Sequence, residues 1–128
     1  MRAIAFVLLL MAIPFLGICQ QGFPDRTKLA LKSGDSQKLG RICATKVEFG
    51  LEGDAKEILG SEVAGKLAVF FKDNPPVEAS VLFQGKSKDG RKYLICRLNT
   101  KNGGVFRFSF YWKEAAVEAL EVIDISRE

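Results

Sequence analysis

The spacing of apolar residues changes along the chain, and each change predicts a new element. From 24 to 43 the apolar positions are widely spaced and Gly34 interrupts them, which predicts two short helices in a hairpin or one kinked helix. The first is expected over 24–34, because Pro24 suits a first helical turn and glycine suits the left-handed closing conformation. The second is expected over 35–43, with an aspartate or serine as its cap.

Two further elements precede the paired prolines at 75 and 76. The letters KVEFGLEG place apolar residues at every second position and end at Gly53, which predicts one short strand. Residues 54–74 then carry apolar side chains at helical spacing, namely Ile58, Leu59, Val63, Leu67, Phe70 and Phe71. This segment is expected to be the main amphipathic helix, and the prolines end it because they cannot continue the helical hydrogen bonding.

The chain after Pro76 predicts an antiparallel meander. Its three strands are expected over 77–86, 91–100 and 105–113. Gly90 and the Asn-Gly-Gly sequence at 102–104 lie between them and are compact hairpin signals. Since successive side chains of a strand point to opposite faces, one face of the third strand is aromatic throughout: Phe106, Phe108, Phe110 and Trp112.

The last segment has two interpretations. EAAVEALEV favours a helix, whereas LEVIDIS favours a strand. We predict a strand from Val117 or Ala119 to Ile125, because it would cover the exposed edge of the meander and turn Leu120, Ile123 and Ile125 to the core through a small irregularity.

The N-terminus predicts export. A charged start at Arg2, an apolar run from 3 to 16 and small residues before a polar stretch are typical of a secretory signal peptide. The run is shorter than the ~20 residues that span a bilayer, and Pro14 interrupts it. Cleavage after Cys19 leaves one mature domain, residues 20–128, in the periplasm or outside the cell. In the alternative, LGIC is a lipid-attachment sequence and Cys19 anchors the protein to the membrane.

Charge and cysteine content limit the partners. With 19 Lys and Arg against 15 Asp and Glu, loss of Arg2 leaves 18 basic residues and a net charge of +3. That charge is too small to require an anionic partner, and we expect no nucleic-acid binding. Cys43 and Cys96 remain after cleavage. In an oxidising compartment they form a disulfide, or they are two buried free thiols, and the sequence leaves both open.

One motif resembles a nucleotide site. Gly85-Lys86-Ser87 spells the end of a phosphate-binding loop, but Ser80 occupies the position of the first glycine and a hairpin turn follows instead of a helix. We therefore predict no nucleotide. The chain has no histidine, which removes the commonest general base and metal ligand, so no cofactor, no metal site and no catalytic residue are predicted.

A mixed aromatic and cationic surface is predicted on the meander. Tyr93, Arg97, Arg107 and Tyr111 fall on the face opposite the core. Such a face could bind a ligand or partner, including an anionic glycan. The simpler interpretation is a solvated face whose charges keep the sheet soluble.

The order of these elements resembles the nuclear transport factor 2-like superfamily, a cone-shaped α+β fold. The segments ALKSGDSQKL, FFKDNPP, QGKSKDGRKYLI, TKNGGVFRF and LEVIDI are similar to a bacterial family of small exported proteins catalogued as a domain of unknown function. The similarity runs from about 25 to 125. It implies N-terminal helices packed on a curved antiparallel sheet of about four strands plus one short strand, and implies no activity.

The functional expectation follows from that resemblance and from what the chain lacks. Superfamily enzymes such as ketosteroid isomerase and scytalone dehydratase use aspartate, tyrosine or histidine inside the cone. This chain has no histidine, and no aspartate falls on an apparent core face. We therefore interpret it as a non-enzymatic binding or interaction module that uses the cone mouth or sheet face, forming a homodimer or binding another envelope protein. The alternative is a hydrolase or isomerase with a carboxylate or tyrosine in the cone.

Overall fold

Within residues 22–128, three helices pack on one face of a six-stranded sheet. A computed structural model describes residues 22–128, so the predicted signal peptide and Cys19 lie outside the described residues. The helices are α1 (Phe23–Ser33), α2 (Ser36–Arg41) and α3 (Gly60–Asp73). The strands are β1 (Cys43–Leu51), β2 (Asp54–Leu59), β3 (Pro76–Lys86), β4 (Arg91–Thr100), β5 (Val105–Lys113) and β6 (Leu120–Arg127). Within 22–128, no helix has the length and apolar character that a membrane span requires.

The α+β class is confirmed, but the predicted sheet is wrong in two respects. It has six strands, in the order β2-β1-β6-β5-β4-β3, instead of about four plus a short one. It is also not antiparallel throughout, because β1 and β6 run parallel, with Phe49 beside Ile123. This parallel pair joins an N-terminal hairpin to the C-terminal meander, and a connection between such distant segments leaves no local sequence signal.

The additional strand is β2, which the sequence had predicted to be the start of the main helix. Glu52 and Gly53 both have positive φ, at 53° and 86°, and this tight turn folds β2 back on β1 with Val47 opposite Ile58. Helix α3 begins only at Gly60. Helical spacing of the apolar residues was present, but cross-strand pairing decides the local structure here.

The N-terminal helices follow their predicted signals with one difference. Gly34 closes α1 with φ of 66°, and the Asp35 carboxylate caps α2 by accepting a hydrogen bond from the Lys38 backbone N–H at 3.0 Å. Helix α2 ends at Arg41 instead of continuing through Cys43. Cys43 instead begins β1, beside Leu120 of β6.

The meander is confirmed, and so is the choice of a strand for the last segment. Strands β4 and β5 have the predicted bounds, and β6 covers the exposed edge of β5. The predicted irregularity is a register shift between Tyr111 and Trp112. The aromatic face of β5 and the predicted core residues of β6 are buried under the helices: Phe106, Phe108, Phe110, Trp112, Leu120, Ile123 and Ile125.

Candidate functional site

An open cleft separates α3 from the β1–β2 hairpin, and we call it the α3 cleft. Its volume is about 330 Å³, and its lining residues are Phe49, Leu51, Asp54, Lys56, Ile58, Lys66, Val69 and Phe70. A shallower extension of about 260 Å³ shares Leu51, Lys66, Val69 and Phe70 and continues past Asn74 to Phe106 and Arg127. The volume lies in the lower part of the ~300–1,000 Å³ range of small-molecule sites.

The apolar character of the cleft comes from two elements that do not close on each other. On α3, Phe70 is buried, whereas Val69 keeps 63% of its surface exposed. On the hairpin, Phe49 is buried, whereas Leu51 is 40% exposed. The buried phenylalanines belong to the core and the exposed aliphatic residues form the rim, so apolar surface is continuous from the core to solvent.

The cleft carries charges only at its edges. Lys56 Nζ lies 3.8 Å from Asp54 Oδ2, and both side chains are exposed, so this pair is weak and leaves little net charge. In the extension, the Arg127 guanidinium lies over the Phe106 ring at 4.9 Å. Neither interaction places a charged group on the apolar floor.

The interior of the cone, below the cleft, is filled with aromatic rings. Phe70 of α3 packs edge-on against Phe106 at 4.9 Å and Phe108 at 5.5 Å between ring centroids. Phe71 stacks on Phe108 at 6.2 Å. Edge-on and stacked arrangements of this kind stabilise a core beyond the area that they bury. Space for a ligand therefore lies at the mouth of the cone.

The two predicted tyrosines lie next to each other on the outer face of the sheet. Tyr93 of β4 is directly opposite Tyr111 of β5, and their ring centroids are 6.1 Å apart. The Arg91 guanidinium lies 5.4 Å from the centre of the Tyr111 ring. Gly85 of β3 is adjacent, and a Cβ there would approach the Tyr93 hydroxyl to 3.0 Å, so glycine leaves room for the Tyr93 ring.

The two predicted arginines form a second pair and share an acidic partner. Arg97 is directly opposite Arg107. Arg97 Nε donates to Glu128 Oε2 at 2.6 Å, and an Arg107 terminal nitrogen donates to Glu128 Oε1 at 3.2 Å. Hydrogen bonding from Arg97 is the main cause that lowers the pKa of Glu128, and the same bond raises the pKa of Arg97. The tyrosine and arginine pairs lie four residues apart along β4, a distance of ~13 Å, so they are neighbours and not one site.

The structure does not join Cys43 to Cys96, and the disulfide interpretation needs correction. Both thiols are free, and β6 and β5 separate their strands. Three strand spacings of ~4.8 Å exceed the ~7 Å limit between the Cα atoms of a disulfide. Burial raises the pKa of the Cys43 thiol to about 12 and that of Cys96 to about 11. Both therefore behave as small apolar side chains.

Gly85-Lys86-Ser87 has the predicted location. Gly85 and Lys86 end β3, and Ser87 enters the turn to β4. The Ser87 hydroxyl bonds to the Asp89 carboxylate, and this bond is the main reason that the pKa of Asp89 falls to about 2. The triplet builds a hairpin turn and does not start a helix, as a phosphate-binding loop requires.

The sequence named the cone mouth only in general terms and missed the residues that form the cleft. Leu51 was one of the alternating apolar residues of the predicted short strand, and Val69 was given no role. The exposure of both side chains follows from the position of β2. The available signal was Gly53, a turn residue that can begin a hairpin after the strand that contains Leu51. Without β2 there was no reason to place that turn opposite α3.

Comparison with known proteins identifies the family. The model of the family described as Domain of unknown function (DUF4783) matches residues 24–125. The chain belongs to the DUF4783 family. Among proteins with curated descriptions, none matches the sequence. The predicted resemblance to a bacterial domain-of-unknown-function family is confirmed.

Crystal structures of DUF4783 proteins have the same architecture. One from Bacteroides ovatus ATCC 8483 is 26% identical with a TM-score of 0.76, and the match covers 85% of this chain and 98% of that one. One from Bacteroides fragilis YCH46 is 26% identical with a TM-score of 0.76, covering 84% and 100%. A protein of the NTF2-like family from Streptomyces avermitilis, 14% identical with a TM-score of 0.62, covers 90% and 98%. That similarity concerns the fold alone, and it confirms the predicted nuclear transport factor 2-like fold.

Proposed function

We propose that this DUF4783 protein is a non-enzymatic binding module that holds a small apolar ligand in the α3 cleft. The observation that carries the proposal is the cleft itself, a concave site of about 330 Å³ in which Val69 and Leu51 expose apolar surface beside a buried aromatic floor. Burial of that surface by a ligand is favourable at ~25 cal/mol per Å², and a preformed site needs little reorganisation.

The enzyme alternative has less support. Both tyrosines of the chain lie on the outer face of the sheet, away from the cone. The carboxylate that lines the main cleft, Asp54, is exposed and lies beside Lys56. A general acid or base needs a desolvated position facing the substrate, and phenylalanines occupy that position in this cone.

The experiment is a binding assay with Nile red, an uncharged fluorescent probe. Val69→Glu places a charge on the rim, and we expect it to weaken Nile red binding by at least about tenfold, or ~1.4 kcal/mol. Ala68→Glu is the matched control, because Ala68 is exposed on the same helix and does not line the cleft. It should bind as the wild type does. Absence of Nile red binding, or equal effects of the two substitutions, would overturn the proposal.

The outer face of the sheet is the proposed surface for self-association. Phe83 is 56% exposed there and lies beside Ile95, one step along the sheet from the tyrosine pair. Charges of both signs surround this patch, since Lys46 pairs with Glu57 at 3.8 Å and Lys113 with Glu121 at 4.0 Å. A two-fold axis would place the apolar and aromatic patch against its own copy in a second molecule.

Light scattering after size exclusion tests the association. We expect a dimer that Phe83→Glu converts to a monomer. Val117→Glu changes an 84% exposed valine in the segment before β6 and should leave the dimer intact. A wild-type monomer at high concentration would rule out the homodimer and leave another envelope protein as the partner for this face.

Export remains part of the proposal. The predicted signal peptide would deliver the mature chain to the envelope, starting at Gln20, or would leave it anchored through Cys19. The intact mass of protein purified from the envelope fraction distinguishes these two products. A mass that includes residues 1–19 would contradict both.

A further inference from the structure

Lys66 occupies a distinctive position in the α3 cleft. It lines both the cleft and its extension, and it precedes Val69 and Phe70 by three and four residues, so the three side chains share one face of α3. Among the ion pairs and side-chain hydrogen bonds of residues 22–128, none involves Lys66. The cleft thus has an apolar floor with an uncommitted ammonium group at its edge.

The other charges around the cleft do not neutralise this ammonium group in the main part. Asp54 faces Lys56 at 3.8 Å, so those two charges offset each other. Glu52 and Asp73 line only the extension, where Arg127 is also present. The main cleft, taken alone, carries one acidic and two basic residues and has a net positive charge.

We propose that the α3 cleft binds an amphipathic carboxylate, with its apolar tail on the aromatic and aliphatic floor and its anionic head at Lys66. This inference rests on the proposed function and specifies its ligand class. The floor made by Phe49, Ile58 and Phe70 accepts an alkyl chain, and the flexible stem of Lys66 covers apolar surface while its Nζ stays in water. A volume of about 330 Å³ is sufficient for an alkyl chain of medium length.

The experiment compares two ligands that share a tail. Octanoate and 1-octanol differ at the head group, and each is titrated against the Nile red complex of the mature chain at neutral pH, where octanoate is ionised. The difference in hydrophobicity between the two ligands predicts how much less effectively octanoate should displace Nile red than 1-octanol does. We expect octanoate to be about fivefold more effective than that prediction, because an ammonium–carboxylate pair at a partly exposed site adds modestly to the binding free energy. Added salt should reduce the octanoate effect and leave 1-octanol unchanged.

Two substitutions on α3 decide whether Lys66 is responsible. Lys66→Met keeps an unbranched stem and removes the charge, and we expect it to abolish the salt-sensitive part of octanoate binding while Nile red and 1-octanol still bind. Lys72→Met is the matched control, since Lys72 is exposed on the same helix and does not line the cleft. It should leave octanoate binding unchanged.

The outcomes separate the two proposals. If Nile red and 1-octanol bind but Lys66→Met leaves the response to octanoate and salt unaltered, the carboxylate inference is wrong and the apolar binding function stands. If Lys72→Met has the same effect as Lys66→Met, the overall charge of the helix is responsible for the octanoate response. The proposal that the carboxylate binds at Lys66 is then wrong. If Nile red and both octyl ligands fail to bind, both proposals fail together.

Discussion

Gly60 lies against the carbonyl oxygen of Ala44, with no room between them for a side chain. Gly60 is the first residue of α3, and Ala44 lies near the start of β1. This contact sets the point at which the chain leaves β2 and turns into the helix. Because α3 is one wall of the α3 cleft and the β1–β2 hairpin is the other, the contact also fixes the position of one wall relative to the other.

The contact predicts that Gly60→Ala is strongly destabilising. The added methyl would meet backbone, which cannot move as a flexible side chain can, so we expect a loss of about 2–3 kcal/mol in the free energy of unfolding. Urea denaturation measures it. Gly65→Ala is the control on the same helix, since a Cβ at Gly65 meets nothing within 4 Å. That substitution should stabilise the protein by about 0.5–1 kcal/mol, and similar losses at both positions would contradict the account.

The buried thiol of Cys96 and the half-buried thiol of Cys43 predict a loss of stability at alkaline pH. The ordinary thiol pKa is 9.0, and burial raises it to about 12 at Cys43 and about 11 at Cys96. Above pH 9 the unfolded chain releases thiol protons that the folded chain still holds, so the unfolded state is favoured and the free energy of unfolding falls. The slope is ~1.4 kcal/mol per pH unit for each thiol, and we expect roughly 3 kcal/mol of loss from the two thiols together at pH 10.

Denaturation of the wild type and of the double variant Cys43→Ala/Cys96→Ala at pH 7 and pH 10 checks this prediction. Other groups titrate in both proteins, so the difference between their pH dependences isolates the thiols. The variant should lose less stability than the wild type between the two pH values. Equal losses would mean that the thiols are not buried as described.

The cluster of Arg97, Arg107 and Glu128 predicts a low carboxyl pKa at the end of β6. Carbon NMR of the Glu128 side chain should show titration below the usual glutamate range, since Arg97 is the main hydrogen-bond donor to it. The favourable contribution is complete above the ordinary glutamate pKa and is lost as pH falls through the lowered value. Arg97→Gln should move the Glu128 pKa upward, and an unchanged value would show that the cluster does not form in solution.

The predictions that held were local in origin. The meander was predictable because Gly90 and Gly103 mark its turns and because alternation placed Phe106 and Phe108 on one face. Strand β2 was not predictable, since Asp54–Leu59 has helical spacing and becomes a strand only through pairing with β1. The parallel contact of β1 with β6 involves residues about 75 positions apart, and such pairings have no sequence period of their own.

The candidate site was also predictable only where its features depend on local sequence. Tyr93, Arg97, Arg107 and Tyr111 were placed correctly on the outer face because strand alternation determines the face. The two pairs and the role of Glu128 were not predictable, because they depend on the register between strands. The α3 cleft and its extension are lined by Phe49, Val69 and Arg127 among others, and these residues come from three elements that are brought together only in the folded chain.

The most direct test of the central claim is methyl NMR of the mature protein during a titration with 1-octanol. The α3 cleft predicts saturable shifts at the methyl groups of Leu51, Ile58 and Val69, with little change at Leu29 and Val117, which are exposed but lie outside the cleft. The Val69→Glu variant should lose these shifts. Shifts distributed equally over exposed methyl groups, or none at the solubility limit of 1-octanol, would contradict a binding site between α3 and the β1–β2 hairpin.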